Sequence, residues 1–165
     1  MRPIEIHHVL PCDTTTFWRS FWDTDYDARL QDKARYTREV LDDVTVGGIR
    51  SWRARVIPER TLPGVVQKLL GTDRLIYVQS NRLDQAANRL DWDVVPAVMS
   101  DKVTCRGTLQ LRDLGDGRCE RTVRGSITVS VFGVGGSIER AIADNIVSSY
   151  DATAQALEEW LAARA

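Results

Sequence analysis

The chain has 165 residues, 43% hydrophobic and 27% charged, with a formal net charge of −1. That length and balance fit one folded domain spanning residues 1–165, able to bury roughly 70% of its extended surface, and they exclude a disordered chain. The near-neutral charge removes any bulk electrostatic case for nucleic acid as a partner, and the absence of a transmembrane-length apolar run or a charged-then-apolar leader makes the cytoplasm the expected compartment.

Ile4 to Leu10 alternates and reads as a strand ended by Pro11. Asp13 or Thr14 then caps a short helix carrying Phe17, Trp18, Phe21 and Trp22. Those aromatics either anchor the core or touch a bound ligand. Asp23 to Ala34 reads as a second short helix or turn beginning near Asp25. Two helices here let the chain cross from one sheet edge to the other. A strand is expected over Tyr36–Leu41, a turn at Gly47-Gly48, and an antiparallel return over Ile49–Val56. Trp52, Ala54 and Val56 share a face with Arg50. Arg53 and Arg55 lie with Ser51 on the other, read as a solvated face with anion binding as the alternative.

Leu62 to Gly71 is distinctive. Pro63 opens a helix, Gly71 stops it, and Val65, Val66, Leu69 and Leu70 form an apolar face. The helix is too short to stand alone in water. It either packs down or works as a flap, with Leu62, Val65, Val66 and Leu69 as gate residues and transient membrane contact as a further role. Strands follow over Leu75–Leu83, Asn88–Val94, Lys102–Leu114 and Arg118–Val131, the third and fourth joined by Gly115-Asp116-Gly117. Leu90, Trp92 and Val94 point inward, and Asp91 and Asp93 outward toward solvent. Gly107 and Gly125 sit mid-strand, where glycine marks a bend, and paired bends curl a sheet. The hairpin sets Cys119 opposite about Arg112, so Cys12, Cys105 and Cys119 are expected as separate buried thiols rather than a disulfide framework or zinc site.

After Gly133-Val134-Gly135-Gly136, Ser137 is the expected N-cap of a helix without Pro or Gly to the end of the chain, and Glu139 puts negative charge in its first turn. Ile138, Ile142, Ile146, Ser149, Thr153, Leu157, Trp160 and Leu161 share one face of it. The order predicts an α+β fold: a curved antiparallel sheet of about six or seven strands wrapped around a long C-terminal helix, with two short helices after the first strand.

That order resembles the START-like superfamily, the helix-grip or polyketide cyclase/lipid-transport fold (SRPBCC). More narrowly it resembles a bacterial family akin to the sterol-binding VASt domains. The resemblance covers essentially the whole chain. It is carried by Asp13 to Trp18 after the first strand, Leu62-Pro63-Gly64 with Lys68 to Gly71, Trp92 with Val94 and Pro96, Asp101-Lys102, Gly107, and Gly133 to Glu139. It implies an internal pocket for a lipid, a sterol or a polyketide-like molecule.

The expected wall of that pocket combines inward apolar positions with polar ones. Trp52, Leu90, Trp92, Val103, Cys105, Leu109, Val123, Ile142 and Ile146 are the apolar set. Tyr77, Gln79, Asn81, Arg121, Asn145, Ser149 and Tyr150 either pair with one another or orient a ligand. His7 and His8 point to opposite strand faces and cannot serve one metal or one site. No catalytic or metal-ligand spacing is found, and the glycine stretch before the last helix is not a dinucleotide loop, so no metal or cofactor is expected. Binding or carriage of a hydrophobic small molecule is the leading expectation. An enzyme of cyclase/aromatase or hydrolase type using Tyr77, Arg121 or Tyr150 is the alternative, and a protein-interaction module is a third. Oligomeric state is left open.

Overall fold

The computed structural model describes residues 1–165. Seven strands are present: β1 (Arg2–Leu10), β2 (Tyr36–Val46), β3 (Ile49–Pro58), β4 (Tyr77–Asp84), β5 (Arg89–Pro96), β6 (Val103–Gly115) and β7 (Arg118–Val129). Four helices accompany them: α1 (Thr14–Ser20), α2 (Thr24–Ala34), α3 (Gly64–Leu70) and α4 (Gly135–Ala162). The strands form one antiparallel sheet in the order β1-β7-β6-β5-β4-β3-β2. Since β1 and β2 are its two edges, the connection between them must cross the sheet, and α1 and α2 make that crossing. Asp13 caps α1 by accepting from the Thr16 N–H at 2.7 Å. Asp23 caps α2 by accepting from the Tyr26 N–H at 2.9 Å.

The sheet curls where the two mid-strand glycines meet. Gly107 lies directly opposite Gly125 in the β6/β7 register. A Cβ on Gly107 would sit 2.5 Å from the Arg124 carbonyl oxygen and 2.5 Å from Cζ2 of Trp92, and one on Gly125 would sit 2.5 Å from the Arg106 carbonyl oxygen. Trp92, opposite Gly107 in the β5/β6 register, lays its indole over the bare backbone.

α4 lies along the concave face. Its C-terminal half is fixed by buried Ala154, Ala156, Leu157 and Trp160, with Trp160 edge-on to Tyr26 of α2 at 6.2 Å and its indole N–H donating to Asp23 at 2.9 Å. Its first turn is fixed by Ile138, and by Glu139, whose carboxylate accepts from the Val129 N–H at 3.0 Å.

Several local expectations are corrected. α4 begins at Gly135 behind Val134, with no side-chain cap, so Ser137 is not its N-cap. The cap position is held by Val134, whose side chain cannot accept a hydrogen bond, and the first helical residue must be glycine because a Cβ on Gly135 would sit 2.5 Å from the Val129 carbonyl oxygen. β2 continues past Leu41 to Val46, through a bulge between Val40 and Asp42, because its hairpin with β3 stays paired to the Gly47-Gly48 turn. β4 starts at Tyr77 rather than Leu75. A register shift between Asp113 and Gly115 sets Cys119 opposite Asp113, not Arg112. The thiol next to Cys119 is Cys12 rather than Cys105, and all three cysteines are free and buried. The arginine face of β3 is exposed and ion-paired, Arg53 with Asp42 at 2.5 Å and Arg55 with Glu39 at 3.0 Å.

The curvature generates a test. Gly107→Ala and Gly125→Ala each force a methyl into backbone, and each is expected to destabilise by about 1–3 kcal/mol. Gly136→Ala, with nothing within 4 Å of its added Cβ, is expected to be neutral or stabilising. Urea midpoints of the three variants check this, and equal midpoints would remove the steric account of the bend.

Candidate functional site

Between its two fixed ends α4 stands away from the sheet. No residue from Arg140 to Thr153 is fully buried, although the helix runs unbroken. The space beneath is a cavity of about 690 Å³, and 25 of its 38 lining residues are hydrophobic. The wall is thus mostly apolar, with a few polar groups set into it. A dry void of this size would cost on the order of 17 kcal/mol at ~24 cal/mol per Å³, more than the ~5–15 kcal/mol by which whole domains are stable. The space is therefore solvated or filled.

The wall is built strand by strand. Trp52 on β3, Tyr77, Gln79 and Asn81 on β4, Leu90 and Trp92 on β5, and Val103, Cys105 and Leu109 on β6 all line it. Arg121 reaches in from β7, and Ile142, Asn145, Ile146, Ser149 and Tyr150 face it from α4. Val123 does not. It is fully buried, in register between Ile6 of β1 and Leu109 of β6.

α3 closes one end. Leu62 and Val66 face the cavity, and so does Leu70. Val65 and Leu69 do not; they point outward, 75% and 45% exposed. A single helical turn presents opposite sides to the two environments, so an apolar run around it cannot all face inward.

Sequence reasoning missed part of the lining. Tyr26 and Leu30 of α2, Tyr36 and Arg38 of β2, and Thr153 of α4 all face the cavity. The signal for α2 was faint because the helix is mostly polar, with only Tyr26 and Leu30 buried.

The polar groups divide into two sets. Gln79 donates to Asn81 at 2.8 Å, so these two satisfy each other. Trp92 Nε1 is buried without a partner. At the end remote from α3, Arg121 is 2% exposed and donates to Thr153 Oγ1 at 2.6 Å, to the Tyr150 carbonyl at 2.8 Å, and to His8 Nδ1 at 3.0 Å. His8 was not among the expected site residues, although alternation with Ile4, Ile6 and Leu10 sets it on the inner face. Accepting from Arg121 at Nδ1 fixes its neutral tautomer with the proton on Nε2, which donates to Asp151 at 2.9 Å.

The titrations follow from burial. Desolvation pushes the Tyr150 and Tyr36 phenols up to about 12, raises Tyr26 and Tyr77 as well, and lifts the Cys105 thiol to about 12. These groups stay protonated at neutral pH, as hydrogen-bond donors rather than bases. Burial first, then the Arg121 charge, lowers the pKa of His8.

A lowered folded-state pKa means that neutral His8 contributes stability above its ordinary value near pH 6.5. That contribution is lost as the pH falls through the folded-state pKa. His8→Gln is expected to flatten the fall in thermal stability just below pH 6.5. An unchanged profile in the variant would mean that His8 is not held neutral by this network.

Comparison with known proteins gives one family match and a consistent fold. No curated protein matches the chain. Among solved structures, it is similar to the Zhui aromatase/cyclase from a Streptomyces species, with a TM-score of 0.70, 12% identity, and 97% of this chain and 95% of that one covered. It is also similar to a START superfamily protein from Mycobacterium smegmatis, with a TM-score of 0.66, 12% identity, and 97% and 99% covered. Identities this low establish the fold alone, and that fold is the START-like helix grip. By the family model that matches residues 5–161, the chain belongs to the family described as "Protein of unknown function (DUF2505)".

Proposed function

We propose that this chain binds and carries a hydrophobic small molecule, of lipid, sterol or polyketide-like kind, in the cavity between the sheet and α4. The observation that carries the reading is the unsupported middle of α4 over a space of about 690 Å³ with a mostly apolar wall. The resemblance in fold to a START superfamily protein supports it. The lining residues of β3 to β6 supply contact area, and the polar groups of β7 and α4 supply orientation.

The aromatase/cyclase alternative has one observation in its favour: Arg121 lies over the Tyr150 ring at 5.1 Å, so two of its candidate groups do converge. Against it stand the raised phenol pKa values. A tyrosine held near 12 is poorly matched to proton transfer at neutral pH. Binding is therefore the preferred reading.

α3 is the proposed gate. Leu62 and Val66 would seal the cavity, while exposed Val65 and Leu69 would rest on an apolar surface during exchange. Phe132, fully exposed in the β7–α4 connection, lies at the same end of the sheet. Arg60, Lys68, Arg74 and Lys102 are exposed in these segments beside Glu59, Asp73 and Asp101, so the apolar side chains rather than net charge would carry the contact with a membrane.

Two experiments test this. Nile red, an uncharged apolar dye, is expected to bind at one site per chain. Ile146→Trp, which fills the space under α4, should weaken it by at least about tenfold while keeping or raising thermal stability. Absence of saturable binding, or full binding in the filled variant, would end the carrier proposal. Val65→Asp with Phe132→Asp is expected to slow dye transfer from anionic vesicles severalfold at unchanged affinity. Unaltered transfer would remove the gate from the account.

A further inference from the structure

Arg121 differs from the other well-placed arginines of this protein. Arg38 pairs with Asp27, Arg50 with Asp43, Arg53 with Asp42, Arg55 with Glu39 and Arg112 with Glu120. Each of those pairs lies at or near the surface. Arg121 is 2% exposed and has no carboxylate in ion-pair reach. Its three acceptors, Thr153 Oγ1, the Tyr150 carbonyl and His8 Nδ1, are neutral dipoles.

The nearest acid is Asp151, and it reaches the guanidinium only through the His8 ring. Its side chain is 55% exposed, so much of its charge is screened by solvent. The remaining groups facing Arg121 are Tyr26 of α2, Tyr150 of α4 and Cys119 of β7, the phenols held protonated by burial. A guanidinium stays charged in a protein. A buried charge is costly unless it is paired and fully hydrogen-bonded. Here neither condition is met, because Arg121 Nε is buried with no hydrogen-bond partner at all. The same side chain lines the cavity.

We infer that the Arg121 end of the cavity receives an anionic oxygen of the guest, so that the molecule carried is an apolar weak acid rather than a neutral lipid. This rests on the proposed cavity and narrows its ligand class. Arg121 lines this end of the cavity with no carboxylate beside it, and its guanidinium supplies the countercharge that a carboxylate there needs. Thr153, the Tyr150 carbonyl and His8 hold the guanidinium in place, so it is already oriented before the guest arrives. The position also fixes polarity along the cavity. Arg121 lies near the start of β7, whereas α3, in the connection from β3 to β4, lies at the end of the sheet where β7 finishes. The acid group goes in first and the apolar body trails toward α3.

Matched pairs of guests test this on the unaltered protein: dodecanoate against dodecanol, and naphthoate against naphthalenemethanol, each displacing Nile red at neutral pH. The acid of each pair is expected to bind at least about tenfold tighter than its alcohol, the range of one charge-assisted hydrogen bond. Success with only the aliphatic or only the aromatic acid assigns the body of the guest and leaves the acid receptor standing. Arg121→Met is expected to abolish the acid-over-alcohol preference. If that variant does not fold, the wild-type pairs alone decide. Equal affinity of acid and alcohol in both pairs, with Nile red still bound, would overturn the inference and leave the carrier reading intact. No Nile red binding at all would take down both.

Discussion

A helix held at its two ends and unsupported between them is the constraint on which this structure depends. Ile138 and Glu139 fix α4 to the end of β7, while Ala154 to Trp160 fix it to α2 and the β1–β7 edge. Both anchors combine burial with a hydrogen bond to a defined partner. A continuous α-helix is stiff over such a span, because each backbone bond inside it is already satisfied. The sheet below is then free to fall away without the helix following. What remains between them is volume, and its size follows from how far the sheet bends.

That bend has an identifiable origin. Opposed glycines at Gly107 and Gly125 let the backbones of β5, β6 and β7 approach in a way that any Cβ would prevent. Trp92 gains the most from it, since its indole lies flat where a side chain on residue 107 would stand. A large aromatic thus lines the floor without filling the space above. Its indole N–H is sealed from the cavity and has no hydrogen-bond partner.

Much of this was legible in the sequence, for reasons that belong to particular residues. Strict alternation in Arg89 to Val94 set Leu90 and Trp92 inward, and the Gly115-Asp116-Gly117 turn fixed the longest hairpin. The paired mid-strand glycines, Gly107 and Gly125, mark the curvature in the sequence itself. Other features depended on tertiary placement. Ser137 has the side chain of a cap, yet the helix starts two residues earlier at Gly135, behind Val134, where the close approach of the Val129 carbonyl leaves room only for glycine. Val123 follows the same alternation as Leu109 but is sealed off from the cavity. Nothing in periodicity tells a gap from a contact. Val65 and Leu69 belong to an apolar run that wraps a single turn, and hydrophobicity there does not report direction. His8 was set aside because adjacent histidines cannot share a site. The pattern that sets it inward, Ile4, Ile6 and Leu10, was nonetheless present. What alternation could not supply was its partner, a buried arginine more than a hundred positions away along the chain.

The central claim is spatial: a guest lies between the sheet and the middle of α4. Intermolecular nuclear Overhauser effects from a bound aliphatic probe to assigned methyl and indole protons test it most directly. The account predicts contacts to Ile142 and Ile146 of α4 and, from the same molecule, to Trp92 of β5. Contacts confined to outward-facing residues such as Val44, Val65 or Leu69 would contradict it.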